Sequence, residues 1–135
     1  MEVQLVKELR IFDKVQNKDY LVSLGEIIKV MNRINSSILQ GEWEIVQGAY
    51  GYGEVICEIE DRLNKGKKCT IKYEELFPLL IEDEQYFYNV TLMKVGSNLS
   101  LGIFDSSFLF LRCDDQKILQ EVMSNFKKTE LVDRP

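Results

Sequence analysis

The sequence predicts a single α+β domain spanning residues 1–135, an antiparallel sheet with a C-terminal meander packed with about three helices. Three observations lead there. Residues 86–113 contain three strand-like runs separated only by Gly96-Ser97-Asn98 and Asp105-Ser106-Ser107, and connections this short join antiparallel neighbours. Three other segments repeat apolar residues at helical spacing. Finally, 135 residues at 45% hydrophobic content suit one domain with its own core and are too few for two ordinary ones. No internal repeat, low-complexity tract or linker interrupts the chain.

Taken in order, Val3–Phe12 mixes apolar and charged positions, and its Leu9–Phe12 end reads as a strand. Gln16-Asn17-Lys18-Asp19 is a polar turn. Ser23-Leu24-Gly25-Glu26 fits a capping box, in which the serine oxygen accepts from a free backbone N–H and the glutamate reaches back. Leu24, Ile27, Ile28, Met31, Ile34 and Ile38 then form an apolar stripe, with Gly41 as the stop. Trp43-Glu44-Ile45 alternates as a short strand does. After Gly48-Ala49-Tyr50-Gly51-Tyr52-Gly53, the repeat Val55, Ile59, Leu63 predicts a second helix ending near Gly66, with Glu58 and Arg62 spaced for an ion pair.

Thr70-Ile71-Lys72-Tyr73 is strand-like. The segment Glu74–Leu80 starts as a helix, but Pro78 limits it to a short turn. In the long strand that follows, strict alternation would place Tyr86, Tyr88, Val90 and Leu92 on one face and Phe87, Asn89, Thr91 and Met93 on the other. Leu99–Phe104 and Phe108–Cys113 complete the meander. Asp114 opens a helix carrying Ile118, Leu119, Val122, Met123 and Phe126, and Leu131-Val132 adds a last strand.

Composition restricts function. Acids outnumber bases 22 to 17, for a net charge of −5, whereas a nucleic-acid binder needs cations to displace counterions from phosphate. The one compact basic stretch, Lys65-Gly66-Lys67-Lys68, falls at a helix end, where cations complement the helix dipole. No nucleic-acid partner is expected. An acidic surface suits a basic partner. Cys57, Cys69 and Cys113 are odd in number and far apart, so they read as small buried hydrophobes and not as a disulfide or zinc set. The N-terminal residues lack the pattern of a signal peptide and the apolar runs are short, so a cytoplasmic location without a membrane span is expected.

Histidine is absent. That removes Ser–His–Asp and Cys–His catalysis and every histidine-based metal site. The remaining acids fall in segments that solvation explains, and a catalytic carboxylate pair needs at least one acid in an apolar pocket. Asp105 alone lies between apolar strands, and its serine neighbours mark it as a turn residue. No cofactor, no metal and no catalytic residue is expected.

The glycine cluster at residues 48–53 precedes a helix, but it matches neither phosphate-loop pattern, and Glu54 and Glu58 would oppose an anion. Tyrosine and glycine together also characterise adaptable recognition loops. Trp43, Tyr50 and Tyr52 are therefore candidate contact residues, or alternatively core aromatics packed onto the sheet. Glu82-Asp83-Glu84 is a candidate acidic face for steering a basic partner.

The run Gly102-Ile103-Phe104-Asp105-Ser106-Ser107-Phe108-Leu109-Phe110-Leu111, followed by Cys113-Asp114-Asp115 and the helix to Phe126, resembles small bacterial immunity proteins over about the last third of the chain. That resemblance implies an acidic single-domain α+β protein that binds and neutralises a cognate toxin domain, with no particular residue carried over. A different reading is a small-ligand-binding or sensor domain with the Tyr/Gly-rich loop over the sheet.

Overall fold

Alternating side chains define the sheet. In Phe108–Cys113 (β7) the inward positions Leu109, Leu111 and Cys113 are all buried. Leu111 and Leu109 register with Leu9 and Ile11 of the strand Val6–Ile11 (β1) and with Leu101 and Ile103 of Ser100–Phe104 (β6). The computed structural model describes residues 6–81 and 85–134. Its remaining strands are β2 (Glu42–Ile45), β3 (Tyr50–Tyr52), β4 (Cys69–Lys72), β5 (Tyr86–Lys94) and β8 (Thr129–Arg134). The helices are α1 (Leu24–Asn35), α2 (Glu54–Asn64), α3 (Tyr73–Ile81) and α4 (Gln116–Met123), with a 3₁₀ turn at Ser36–Ile38.

The strand order is β4-β2-β5-β6-β7-β1-β8, with β3 paired to β5. Every pairing is antiparallel. The β5-β6-β7 meander stands as expected. What adjacency in sequence could not supply is β1 inserted between β7 and β8.

Buried residues of all four helices join the inward face of the sheet in one core cluster, which includes Ile27, Met31, Ile56, Leu76 and Leu119. Phe110 is buried outside that cluster. It lies on the opposite face, where register groups Arg10, Phe110 and Gly102, and beside them Glu8, Arg112 and Ser100. Long side chains cover this outer face: Arg112 lies over the Phe110 ring at 4.2 Å and Arg10 over Phe108 at 4.8 Å.

Several local expectations change. Ser23 occupies the N-cap of α1 with extended backbone, but its hydroxyl makes no capping bond. The turn is closed instead by Glu26 N–H donating to Ser23 O at 3.0 Å, where Gly25 abuts Leu80 and Ile81. The helix stops at Asn35, well before Gly41, because Asn35 adopts an extended φ and its Oδ1 accepts from Ser37 N–H. In α2 the inward residues are Ile56, Ile59 and Leu63, while Val55 is exposed. The i,i+4 ion pair that forms there is Asp61–Lys65. The C-terminal helix is capped by Asp115 and not by Asp114: its carboxylate accepts from the N–H groups of Lys117 and Ile118.

The segment around Pro78 is a nine-residue helix, not a short turn. Proline removes one hydrogen bond, the one that Glu74 O would accept, and Glu74 is exposed, so water can serve it. Burial of Tyr73, Leu76 and Leu80 against α1 and the sheet outweighs that loss.

Candidate recognition surface

Tyr86-Phe87-Tyr88 places three rings in succession on a strand, and pleating would send them to alternate faces. A β-bulge resolves the conflict. Tyr50 pairs with Asn89, but Gly51 pairs with Phe87, so Tyr88 is an extra residue in the β3–β5 ladder. Phe87 consequently joins Val90 and Leu92 in the core, and Tyr88 is 40% exposed. The expected grouping of Tyr86 and Tyr88 with Val90 and Leu92 is thereby overturned.

Within the Tyr/Gly-rich segment, Tyr50–Tyr52 forms a short strand. Gly51 permits this, since a Cβ there would stand 2.2 Å from Tyr86 O. Asn89 ties the region together: its Nδ2 donates to Gly48 O at 3.0 Å and its Oδ1 accepts from Asp105 N–H at 2.9 Å. Across this bridge the Tyr50 hydroxyl donates to the Asp105 carboxylate. Asp105 and Ser106 both have positive φ, as the tight β6–β7 turn requires. The Tyr50 phenol is held above its ordinary pKa first because its hydroxyl donates to this carboxylate, a bond lost on ionisation, and then by desolvation and the repulsion of a second anion.

Five of the chain's six tyrosines gather at this end of the sheet. Tyr50 and Tyr88 have ring centroids 6.3 Å apart, and Tyr86 and Tyr88 5.4 Å. Tyr52 pairs with Tyr86 in register and is 61% exposed. Tyr20, on the loop after β1, faces Tyr86 and Tyr88 across a cleft of about 660 Å³. Phe12 and Leu21 line the same cleft, together with Ser106, Ser107 and the Lys14–Asp19 ion pair of 2.9 Å. The Tyr86 phenol is also pushed up, first by burial and then by the phenols of Tyr88 and Tyr20. Phe12 continues into Phe108 and Phe104, with centroid separations of 5.6 and 5.4 Å. Phe104 is exposed.

Among the candidates chosen from sequence, Tyr50 and Tyr52 lie in this surface. Trp43 does not. It is 1% exposed on the inward face of β2, and its indole N–H donates to Leu39 O at 2.8 Å, so its place is the core. Glu82, Asp83 and Glu84 lie outside the described residues. Sequence reasoning missed Tyr20, Tyr86, Tyr88 and Phe104. The signal for the middle pair was available in the Tyr-Phe-Tyr run, which a sheet covered on one face cannot bury whole.

No group of three or more His, Cys, Asp or Glu side chains among the described residues could hold a metal ion. Among those residues no helix is long and apolar enough to cross a membrane. Comparison with protein-family models, with curated proteins and with solved structures finds no match.

Proposed function

We propose that this protein is a non-catalytic recognition domain that binds another protein through the tyrosine-rich end of its sheet. The observation that carries the reading is the gathering of Tyr20, Tyr50, Tyr52, Tyr86 and Tyr88 with Phe104 at one surface. Tyrosine offers a large contact area with few rotatable bonds and a hydroxyl for the wet rim, which is why it is enriched in binding surfaces. Exposed rings rarely group this way on a monomer without a partner. The finer reading is an immunity protein that neutralises a toxin domain. It draws on the resemblance of the C-terminal third and on the net charge of −5.

Co-expression with the product of the gene next to its own tests this. The expected result is a stable complex and protection of growth from that product's toxicity. A triple variant, Tyr20→Ser, Tyr52→Ser and Tyr88→Ser, keeps its fold, since all three rings are exposed, and loses the complex. Full retention of the complex by the triple variant would reject this surface. The cleft of about 660 Å³ also has the size of a small-molecule site. Saturable perturbation of the Tyr20, Tyr86 and Tyr88 ring signals by one metabolite from a panel would favour that second reading.

A further inference from the structure

Resting on the protein-recognition reading above, we infer that the cleft between Phe12, Tyr20, Tyr86 and Tyr88 receives an arginine side chain of the partner, which makes the partner's contact segment basic. The argument starts from the cleft walls. Four aromatic residues, Phe12, Tyr20, Tyr86 and Tyr88, line one space, and an aromatic ring attracts a cation over its face through its quadrupole. The formal charges on the walls are Lys14 and Asp19, which neutralise one another at 2.9 Å. Next to the lining residues Ser106 and Ser107 stands the exposed carboxylate of Asp105, already the acceptor for Tyr50. The chain as a whole carries a net charge of −5, which favours a cation over an anion in the field around it.

Arginine fits better than lysine for a reason visible in the same fold. The guanidinium of Arg10 lies over Phe108 at 4.8 Å, that of Arg112 over Phe110 at 4.2 Å, and Phe108 touches the cleft residue Phe12. The sheet already packs planar guanidinium groups on its rings within the chain, and the cleft extends that aromatic row to an edge open to a partner. A planar, weakly hydrated guanidinium stacks on such faces, whereas an ammonium keeps its water.

The experiment follows tyrosine ring signals by NMR while the full chain is titrated with acetyl-Gly-Arg-Gly-amide. The citrulline peptide, which has the same shape without the charge, is the control. The expected result is perturbation of Tyr20, Tyr86 and Tyr88 but not of Tyr73, with the arginine peptide binding about ten-fold tighter than the citrulline one. Tyr88→Leu and Tyr20→Leu should each remove that preference, while Val95→Ala, exposed and outside the recognition surface, should keep it. Equal affinity for the two peptides, or perturbations away from the cleft, would overturn the inference. Either outcome leaves the co-expression test of protein recognition standing. Conversely, failure to form any complex in co-expression would reject recognition without touching a measured arginine preference.

Discussion

Glu8 and Arg112, on strands at opposite ends of the sequence, form an ion pair of 2.5 Å across the β1–β7 ladder. Glu8 is 1% exposed, and its other carboxylate oxygen accepts from Arg10 Nε at 2.6 Å. The chain thereby buries a charge on the outer face of its sheet under two guanidinium groups that are themselves stacked on phenylalanine rings. Glu8→Gln should lower stability by about 2 kcal/mol, read from the midpoint of urea unfolding, because two charge-assisted bonds weaken while both arginines regain water. An unchanged midpoint would mean that desolvating Glu8 costs as much as its pairs return.

Gly102 sits where β6 crosses β5 and the Phe110 ring. A Cβ added there would stand 1.9 Å from Val90 O and 2.7 Å from Phe110 Cζ. Neither neighbour can yield cheaply, since one is ladder backbone and the other a buried ring. Gly102→Ala should cost about 3 kcal/mol or more, seen as a large fall in thermal midpoint. By contrast, Gly48→Ala meets no steric neighbour, and only its positive φ makes it costly.

Tyr50 and Asp105 make a pH prediction. The Tyr50 phenol titrates above its ordinary value because its hydroxyl donates to Asp105. A raised folded-state pKa means that the contribution to stability is fully present below the unfolded value, about 10. It is lost as pH rises through the higher folded value. Ultraviolet titration of tyrosinate should show this phenol ionising late, and Asp105→Asn should shift that component downward. If the titration curves of the two proteins coincide, the bond does not persist in solution.

Thiol chemistry separates the three cysteines. Cys57 is exposed on α2, contrary to its reading as a buried hydrophobe, whereas Cys69 and Cys113 are buried. Burial also raises the Cys113 thiol pKa, and reactivity belongs to the thiolate. A thiol reagent should modify one equivalent rapidly in the native protein and the other two only on unfolding. Rapid loss of two or more would show that the core around Cys69 or Cys113 opens readily.

Local pattern carried much of the architecture. The turns at residues 96–98 and 105–107, the stripe from Leu24 to Met31 and the alternation of Phe108–Cys113 are statements about neighbours in sequence, and the fold keeps them. Failures occurred where distant packing chose between local options. Nothing near Val55 and Ile56 says which of them faces the sheet: Ile59 and Leu63 are buried as expected, and Ile56 takes the place of Val55. Pro78 argued for a short turn until the burial of Leu76 and Leu80 outweighed one missing hydrogen bond.

The candidate surface divides along the same line. By itself the sequence determined that the chain has no histidine, that it is acidic, and that Tyr50 and Tyr52 occupy a glycine-rich segment suited to contact. Only the tertiary structure decided that Trp43 belongs to the core and that Tyr20, Tyr86 and Tyr88 meet Tyr50 at one end of the sheet. The physical reason lies in the bulge at Tyr88. One unpaired residue reverses which side chains face inward, and that reversal is set by the register of β3 on β5, a long-range pairing that no local periodicity encodes.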